Sequence, residues 1–271
     1  MIINSATIIY FSPTGTTKKV INSIIRGMGI VSFNAIDLTS YKVRNSVTLP
    51  IEDDIVLIGV PVYEEGIPKI LVPFLTSLKG NGKPVVLIAV YGNICEGTTL
   101  NELYNITKNL DFKVIGAGSF IGEHSFSTKE IPVAEGRPNY DDLINIEEFG
   151  RDIIKKTTKI NDLSNASIKI PKGKKLLMVK ILPQNSARIF TKTPVADMNI
   201  CNHCGVCVNL CPMGAIDRNT LEINEDQCLR CFRCVKKCPK KARKIVYKMK
   251  FPVSQVLISK NKIKKESKIY L

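Results

Sequence analysis

Short apolar runs alternate with longer helical patterns along the first 160 residues of the chain. The runs have the length and the β-branched composition of strands. Several of them, such as Val85 to Ile88, are apolar at every position, which is typical of a sheet that helices cover on both faces. The pattern predicts five strands, at Thr7–Phe11, Ser32–Leu38, Asp54–Val60, Pro84–Tyr91 and Lys113–Phe120.

Between the predicted strands, apolar residues recur with the period of an α-helix. Regular alternation of strands and helices predicts an α/β domain with a doubly wound parallel sheet of five strands. In the strand order 2-1-3-4-5, the carboxyl ends of strands 1, 3 and 4 surround one crevice, where we expect a ligand. The predicted helices are Thr16–Met28, Pro68–Leu78, Thr98–Leu110 and Asp141–Lys159.

The length of 271 residues favours two domains, and a hydrophobic content of 44% allows each of them a core. This composition excludes collagen-like, mucin-like and disordered classes. The apolar piece at residues 176–182 is expected to pack on one of the domains. The predicted parts are an α/β domain over residues 1–160, a connector over 161–191, a cysteine-rich domain over 192–249 and a basic tail over 250–271.

The net charge of +15 is concentrated in the second half of the chain. Residues 1–150 hold 12 basic and 16 acidic side chains, a net charge of −4, whereas residues 151–271 hold 27 basic and 8 acidic ones, a net charge of +19. No uncharged apolar stretch approaches the roughly 20 residues of a bilayer-spanning helix, and the chain start lacks the features of a secretory signal. We therefore expect a cytoplasmic protein without a membrane span.

Eight of the nine cysteines form an internal repeat between Cys201 and Cys238. Each half has the spacing C-x-x-C-x-x-C-x-x-x-C-P. This spacing resembles that of bacterial two-cluster ferredoxins, in which the fourth cysteine of each run binds the other 4Fe-4S cluster. The resemblance implies that one cluster is bound by Cys201, Cys204, Cys207 and Cys238, and the second by Cys211, Cys228, Cys231 and Cys234.

Zinc is the main alternative to clusters, because tetrahedral thiolate sites also suit zinc. Zinc ribbons, however, use two separated C-x-x-C pairs, and two repeated runs that each end in Cys-Pro fit clusters better. Disulfides would need an oxidising compartment, for which the sequence shows no export signal. The ninth cysteine, Cys95, follows a predicted strand, and we interpret it as a small core residue rather than a redox thiol.

A hydroxyl-rich loop connects the first predicted strand to the first helix. Helix N-terminal amides and hydroxyl groups favour an anion here, and Gly15 lets a phosphate approach the backbone. The loop has no lysine and lacks both the G-x-x-x-x-G-K and the G-x-G-x-x-G patterns, which disfavours nucleoside triphosphates and dinucleotides. A helix cap without a ligand is the alternative interpretation. The residues predicted to bind phosphate are Ser12, Thr14, Gly15, Thr16 and Thr17.

Two further loops follow predicted strands at the same crevice. Each places a tyrosine beside backbone that is close to a glycine, so that an aromatic face and main-chain groups are available to a flat ring system. Either tyrosine could equally be a surface residue at a strand end. His124, after the fifth strand, could donate a proton here, although a local hydrogen bond is the simpler interpretation. The residues predicted to bind this ring are Pro61, Val62, Tyr63, Tyr91, Gly92 and Asn93.

Taken together, these segments resemble the flavodoxin–ferredoxin fusion proteins of anaerobes, over nearly the whole chain. The resemblance implies a flavodoxin-like domain that binds FMN, followed by a small α+β ferredoxin domain with two 4Fe-4S clusters. Glu64 and Glu65 depart from the family pattern, because they put negative charge beside the second flavin loop. Ile94 and Cys95 also depart from it, because they replace more polar residues. Besides the cysteine runs, the similar blocks are Ser12–Thr17, Gly59–Tyr63, Val90–Asn93 and Ile121–Ser125.

The cofactors implied by this resemblance predict an electron-transfer protein that passes single electrons between the clusters and FMN, and so links one-electron and two-electron partners. An FMN-dependent reductase of a small molecule, with the clusters as an internal wire, is the alternative. A nucleic-acid-binding redox sensor is a lesser alternative, because the sequence contains no reader motif. We expect the redox partner to present an acidic docking surface to Lys236, Lys237, Lys240, Lys241, Arg243 and Lys244.

Overall fold

The structure of the chain is a computed structural model, in which a six-stranded sheet is followed by a smaller unit that carries the repeated cysteines. The apolar piece at residues 176–182 lies outside the described residues. Within the described ranges, no helix has the length and apolar composition needed to cross a membrane. The described residues are 1–46, 50–160, 162–163, 166, 168–175, 185–248, 250–263 and 265–271.

The strands of the sheet are β1 (Ser5–Tyr10), β2 (Ser32–Asp37), β3 (Ile55–Pro61), β4 (Pro84–Tyr91), β5 (Lys113–Ile121) and β6 (Lys268–Tyr270). They lie in the order β2-β1-β3-β4-β5-β6. The first five strands are parallel to one another, and their order is that of flavodoxin. The predicted doubly wound α/β fold is therefore confirmed.

The helices are α1 (Thr16–Met28), α2 (Tyr41–Arg44), α3 (Val72–Thr76), α4 (Thr99–Asn109), α5 (Tyr140–Lys159), α6 (Ala187–Phe190), α7 (Val206–Leu210), α8 (Arg233–Lys236) and α9 (Lys250–Asn261). One face of the sheet packs on α1 and α5, and the other face packs on α3 and α4. Side chains of β3 and β4 enter both apolar cores, which explains their unbroken apolar runs.

Two elements lie where the sequence predicts only a basic tail. β6 pairs with β5 in the antiparallel direction and extends the sheet from the five predicted strands to six. Its three residues are too few to show a hydrophobic pattern. α9 was not predicted either, because its apolar residues do not gather on one face. The tail thus returns to the sheet after the cysteine-rich unit.

The predicted helix Pro68–Leu78 is wrong in extent. A 3-10 turn at Lys69–Leu71 comes first, and only the five residues of α3 are α-helical. Pro73 is the second residue of α3. Because proline lacks an amide hydrogen and clashes with the preceding turn, it is accepted in a first turn but not inside a longer helix.

Candidate functional site

Each cysteine run folds into a loop that leads into a short helix. The residue before α7 is Gly205, with φ 70°, and the residue before α8 is Phe232, with φ 56°. Both therefore have left-handed backbone, which glycine adopts freely and phenylalanine adopts only at a cost. The helix that follows carries the third cysteine of the run, Cys207 or Cys234. The repeat seen in the sequence is thus also a repeat in backbone conformation.

The eight cysteines line two cavities, and each cavity takes three cysteines from one run and the fourth from the other run. The empty space, part of which is open to solvent, is about 340 Å³ in cluster site 1 and about 370 Å³ in cluster site 2. This is the crossed arrangement expected from the ferredoxin pattern. The cysteines of cluster site 1 are Cys201, Cys204, Cys207 and Cys238, and those of cluster site 2 are Cys211, Cys228, Cys231 and Cys234.

The two cavities fit polynuclear clusters. Each offers four thiols, which is the donor set that a 4Fe-4S cluster requires. The amide of Ala215 donates to the sulfur of Cys211 at 3.4 Å, and the amide of Ala242 donates to the sulfur of Cys238 at 3.3 Å. Such bonds stabilise the electron-rich sulfurs of iron–sulfur clusters.

Burial controls the acidity of the thiols in cluster site 2. It raises the pKa of Cys231 to about 12, and it also raises the pKa of Cys234. Iron binds the thiolate form, so that metal binding must release these protons.

The predicted phosphate loop connects β1 to α1. Gly15 precedes α1 with φ 100°, in a conformation that glycine alone adopts readily. The hydroxyl of Ser12 accepts a hydrogen bond from the amide of Lys18 at 3.0 Å. Ser12 therefore caps the first turn of the helix, as the alternative interpretation of the loop expects. The hydroxyls of Thr14 and Thr16 lie 3.3 Å apart.

Thr17 is the loop residue that a helix cap does not explain. Its side chain is only 1% exposed, and its hydroxyl has no hydrogen-bond partner among the described residues. A buried hydroxyl without a partner is costly, because it has lost its bonds to water. A phosphate oxygen would supply the missing partner. The hydroxyls and backbone present in this loop therefore fit the phosphate of FMN.

The loop after β3 is a tight turn. Tyr63 and Gly66 exchange backbone hydrogen bonds of 3.0 and 2.9 Å. Between them, Glu64 and Glu65 have φ 51° and 57°, which is the backbone of a type I′ turn. The carboxylate of Glu64 accepts a hydrogen bond from the amide of Ser186. Its charge is therefore directed at the connector region.

Tyr63 joins this turn to the cysteine-rich unit. Its ring lies edge-on to Phe11, with the ring centres 6.3 Å apart. Burial raises the pKa of Tyr63 well above its ordinary value, and the nearby Cys231 raises it further. Tyr63 thus lies between the sheet and cluster site 2.

The loop after β4 is held by the C-terminal part of the described chain. The amide group of Asn93 donates to the carbonyl of Ile263 at 3.1 Å. The ammonium of Lys265 donates to the carbonyl of Asn93 at 2.9 Å and also to that of Ile94. Tyr91 is buried, and burial raises its pKa to about 12. In this loop Asn93 therefore has a structural role besides any contact with a cofactor.

His124 packs against the same loop. Its ring would lie 2.3 Å from a Cβ atom on Gly92, so this position must be glycine. The Nδ1 atom accepts a hydrogen bond from the amide of Phe126 at 3.1 Å. Burial, with the charge of Lys236 as a second cause, lowers the pKa of His124 to about 4. The local hydrogen bond agrees with the simpler interpretation of this histidine.

Three cationic side chains join the cysteine-rich unit to the sheet region. Together they place cluster site 2 against the phosphate loop, since Arg233 lies between two cysteines of that site. The hydrogen bonds are Arg44 to the carbonyl of Pro212 (2.6 Å), Arg233 to the carbonyls of Ser12 (3.0 Å) and Pro13 (2.8 Å), and Lys236 to Glu123 (2.6 Å).

Two of the residues expected to dock a partner have other roles. Arg243 is 3% exposed and donates to the carbonyls of Pro194 and Leu221, each at 2.6 Å. Lys236 is held by Glu123. The expectation is therefore wrong for Arg243, which is a buried structural residue.

The cysteine-rich region matches a known family. Residues 193–239 match the family described as the 4Fe-4S dicluster domain. These residues belong to the dicluster family. The chain is 45% identical over 51 residues to an uncharacterized polyferredoxin-like protein of Methanocaldococcus jannaschii, a match that covers 19% of this chain and 22% of that protein. It is 40% identical over 55 residues to the pyruvate synthase subunit PorD of Methanothermobacter marburgensis, a match that covers 20% of this chain and 67% of that subunit.

The chain thus joins a flavodoxin-like domain to a dicluster ferredoxin domain. The flavodoxin-like assignment depends on the strand order of the sheet. Among solved structures, a flavodoxin from the domain Archaea is 16% identical with a TM-score of 0.41, and the likeness covers 57% of this chain and 99% of that one.

Sequence reasoning missed the side chains that connect the two domains. Arg233 could have been noticed, because it lies between Cys231 and Cys234. Its contact with the phosphate loop could not have been predicted, because cysteine spacing does not show which face of the dicluster domain packs on the sheet. Nothing in the sequence around Arg44 indicated its contact with the dicluster domain, since it lies in a helix of only four residues.

Proposed function

We propose that this chain is an iron–sulfur flavoprotein that carries electrons between two 4Fe-4S clusters and FMN. The observation that carries this proposal is the position of cluster site 2. Arg233, next to Cys234 in that site, donates to the carbonyls of Ser12 and Pro13 in the phosphate loop. Tyr63, in the second flavin loop, is near enough to Cys231 for the charge of that thiolate to raise the pKa of the tyrosine. Proximity of this kind is what electron exchange between two centres requires.

When bound, the clusters exchange one electron at a time and FMN holds two, so that the pair converts between one-electron and two-electron partners. Cluster site 2 is on the side of the flavin loops. Cluster site 1 is on the side of the partner, because its Cys204 is exposed whereas Cys231 in the other site is buried. The proposed order of sites is therefore partner, cluster site 1, cluster site 2 and flavin loops.

In the proposed flavin site, the chain supplies hydroxyls and backbone amides to the phosphate from the loop that contains Thr17. Tyr63 and the backbone around Gly92 border the ring system. The Oδ1 atom of Asn93 is buried and has no hydrogen-bond partner among the described residues, so that it remains open to a donor. We assign the FMN domain to residues 1–160 and the dicluster domain to residues 192–249.

The proposal is tested by analysis of the full chain purified without oxygen. We expect about eight iron atoms and eight sulfides per chain, together with a stoichiometric amount of flavin. Thin-layer chromatography of the released flavin should identify FMN. Under stepwise reduction, the visible spectrum should show separate bleaching of cluster and flavin bands.

Three results would contradict the proposal. A stoichiometric amount of zinc without sulfide would show that the cysteines bind zinc and not 4Fe-4S clusters. The chain could also hold its full iron and sulfide but neither retain FMN nor rebind it when FMN is added. This result would exclude FMN as its cofactor. A protein that holds both groups but reduces a small molecule with high turnover would be a reductase rather than a carrier.

A further inference from the structure

A lysine of the dicluster domain lies over the phosphate loop of the other domain. Lys237 follows α8 directly and precedes Cys238. Its ammonium nitrogen is 3.9 Å from the position that a Cβ atom would take on Gly15. Gly15 is the left-handed residue at the start of α1, so the ammonium lies beside the backbone that would face a phosphate.

The phosphate loop has no cation of its own. The nearest basic residues along the chain are Lys18 and Lys19 in the first turn of α1, and both are engaged elsewhere. The ammonium of Lys18 lies 5.8 Å from the ring centre of Tyr10. The ammonium of Lys19 donates to the carbonyl of Pro138 at 2.8 Å. The first turn of α1 therefore offers a phosphate at this loop no lysine that is not already engaged.

Arg233 brings a second positive charge to the same place. It uses one nitrogen, Nη1, on the carbonyls of Ser12 and Pro13. Its Nε atom is buried and has no hydrogen-bond partner among the described residues. Arg233 thus holds the loop against the dicluster domain, while the ammonium of Lys237 stands over the glycine.

From this arrangement we infer that the phosphate site is composite and that Lys237 of the dicluster domain binds the flavin phosphate. A phosphate monoester carries a charge of about −1.5 to −2 at pH 7 and accepts charge-assisted hydrogen bonds from lysine. The inference rests on the proposed FMN site. It adds that the dicluster domain selects FMN over riboflavin and that FMN in turn ties the two domains together.

The inference is tested on the full chain with its clusters in place and its flavin removed. The dissociation constants of FMN and riboflavin are measured by flavin fluorescence, and iron content confirms that each variant keeps its clusters. The dissociation constant of riboflavin divided by that of FMN measures how much the phosphate group contributes to binding. We expect Lys237→Met to lower this ratio about tenfold or more, since the bond it removes is charge-assisted.

Two variants complete the test. Lys237→Arg should restore most of the ratio, because it keeps a cation in place. Lys244→Met removes an exposed lysine from the same domain and should leave the ratio unchanged.

The outcomes separate the inference from the function on which it rests. A wild-type ratio near one would overturn the phosphate site and the proposed FMN function with it. A wild-type preference for FMN that persists in Lys237→Met would overturn the role of Lys237 alone. An equal loss of affinity for both flavins would also overturn it, because Lys237 would then only support the fold.

Discussion

His124 is a single side chain whose protonation is expected to make the stability of the folded chain depend on pH. Its ring lies edge-on to Phe126, with the ring centres 5.2 Å apart. Phe126 in turn lies edge-on to Phe232 of the dicluster domain, at 5.1 Å. A charged imidazolium in this partly buried aromatic stack would lose hydration, and Lys236 nearby would repel it. The neutral ring is therefore the form that the folded chain keeps at neutral pH.

Replacement of His124 by asparagine should reduce the loss of stability in acid. The pKa of His124 is lowered from 6.5 to about 4 in the folded chain, so the unfolded chain binds this proton first as the pH falls. The stabilisation is fully present above pH 6.5 and is lost between pH 6.5 and about pH 4, by an amount on the order of 3 kcal/mol at most. Asparagine keeps an acceptor but does not titrate.

Urea unfolding followed by circular dichroism at pH 7 and pH 5 measures this effect. His203→Asn is the matched control, since His203 is exposed and asparagine tolerates its left-handed backbone. If His124→Asn lost as much stability as the wild type between these two pH values, another group would be responsible for the acid sensitivity.

At residue scale, the sequence predicted the cysteine ligands but not the residues between them. Gly205 is recognisable as a turn residue, because glycine adopts positive φ freely. Phe232 occupies the equivalent place with the same backbone, and no local rule predicts this. Its ring is 1% exposed and packs on Phe126, so tertiary packing offsets the local cost. Such a position can be read only from the folded chain.

Among the elements, the tail after α9 has the most unexpected role. It crosses the loop after β4, and Lys265 donates to two carbonyls of that loop. β6 then pairs with β5, and Lys268 forms an ion pair with Glu96. The tail thus fixes one of the loops that border the proposed flavin site.

Loss of the Lys265 ammonium should loosen the loop after β4. We expect Lys265→Met to increase amide hydrogen exchange at residues 92–97 and to lower stability by about 1 kcal/mol, since its bonds to carbonyls are charge-assisted but only partly buried. Lys262→Met removes an exposed lysine from the same tail and should leave this loop unchanged. Equal exchange in the two variants would show that the Lys265 ammonium does not hold this loop.

Prediction succeeded for elements with long, regular patterns. The predicted bounds of α1 and β4 agree with the structure, because glycine or loop residues stop a strongly periodic segment. The prediction from sequence was wrong for α3, because Pro73 decides where that helix starts. It also missed β6, whose three residues form a strand only because β5 offers an open edge. In the proposed flavin site, the sequence indicated three loops but not the lysine above them.

In the molecule as a whole, the positive charge is concentrated in the part of the chain that contains the dicluster domain. The second half of the chain has a net charge of +19, and two clusters at about −2 each leave it strongly positive. Lys240 and Lys241 are exposed and follow Cys238 of cluster site 1. We propose that this positive surface steers an acidic redox partner to cluster site 1.

Charge reversal at this surface should weaken the salt dependence of electron exchange with such a partner. The wild-type rate should fall steeply with added salt, because exposed charges are screened over about 8 to 10 Å at ordinary ionic strength. Lys240→Glu should lower the rate at low salt and flatten this dependence. Lys79→Glu, at an exposed position of the flavodoxin-like domain, is the control. A wild-type rate that does not respond to salt would contradict the docking surface.

The return of the chain to the sheet has a consequence for its biosynthesis. β1 to β5 leave the ribosome before the cysteines, whereas Lys268–Tyr270 leaves after all eight of them. Until then, β5 has no partner on the side away from β4 among the described strands, and its edge is exposed to pairing with other chains. The dicluster domain is in effect an insertion before the last strand of the sheet. A nascent chain therefore closes its first domain only after the whole cluster-binding segment has been synthesised.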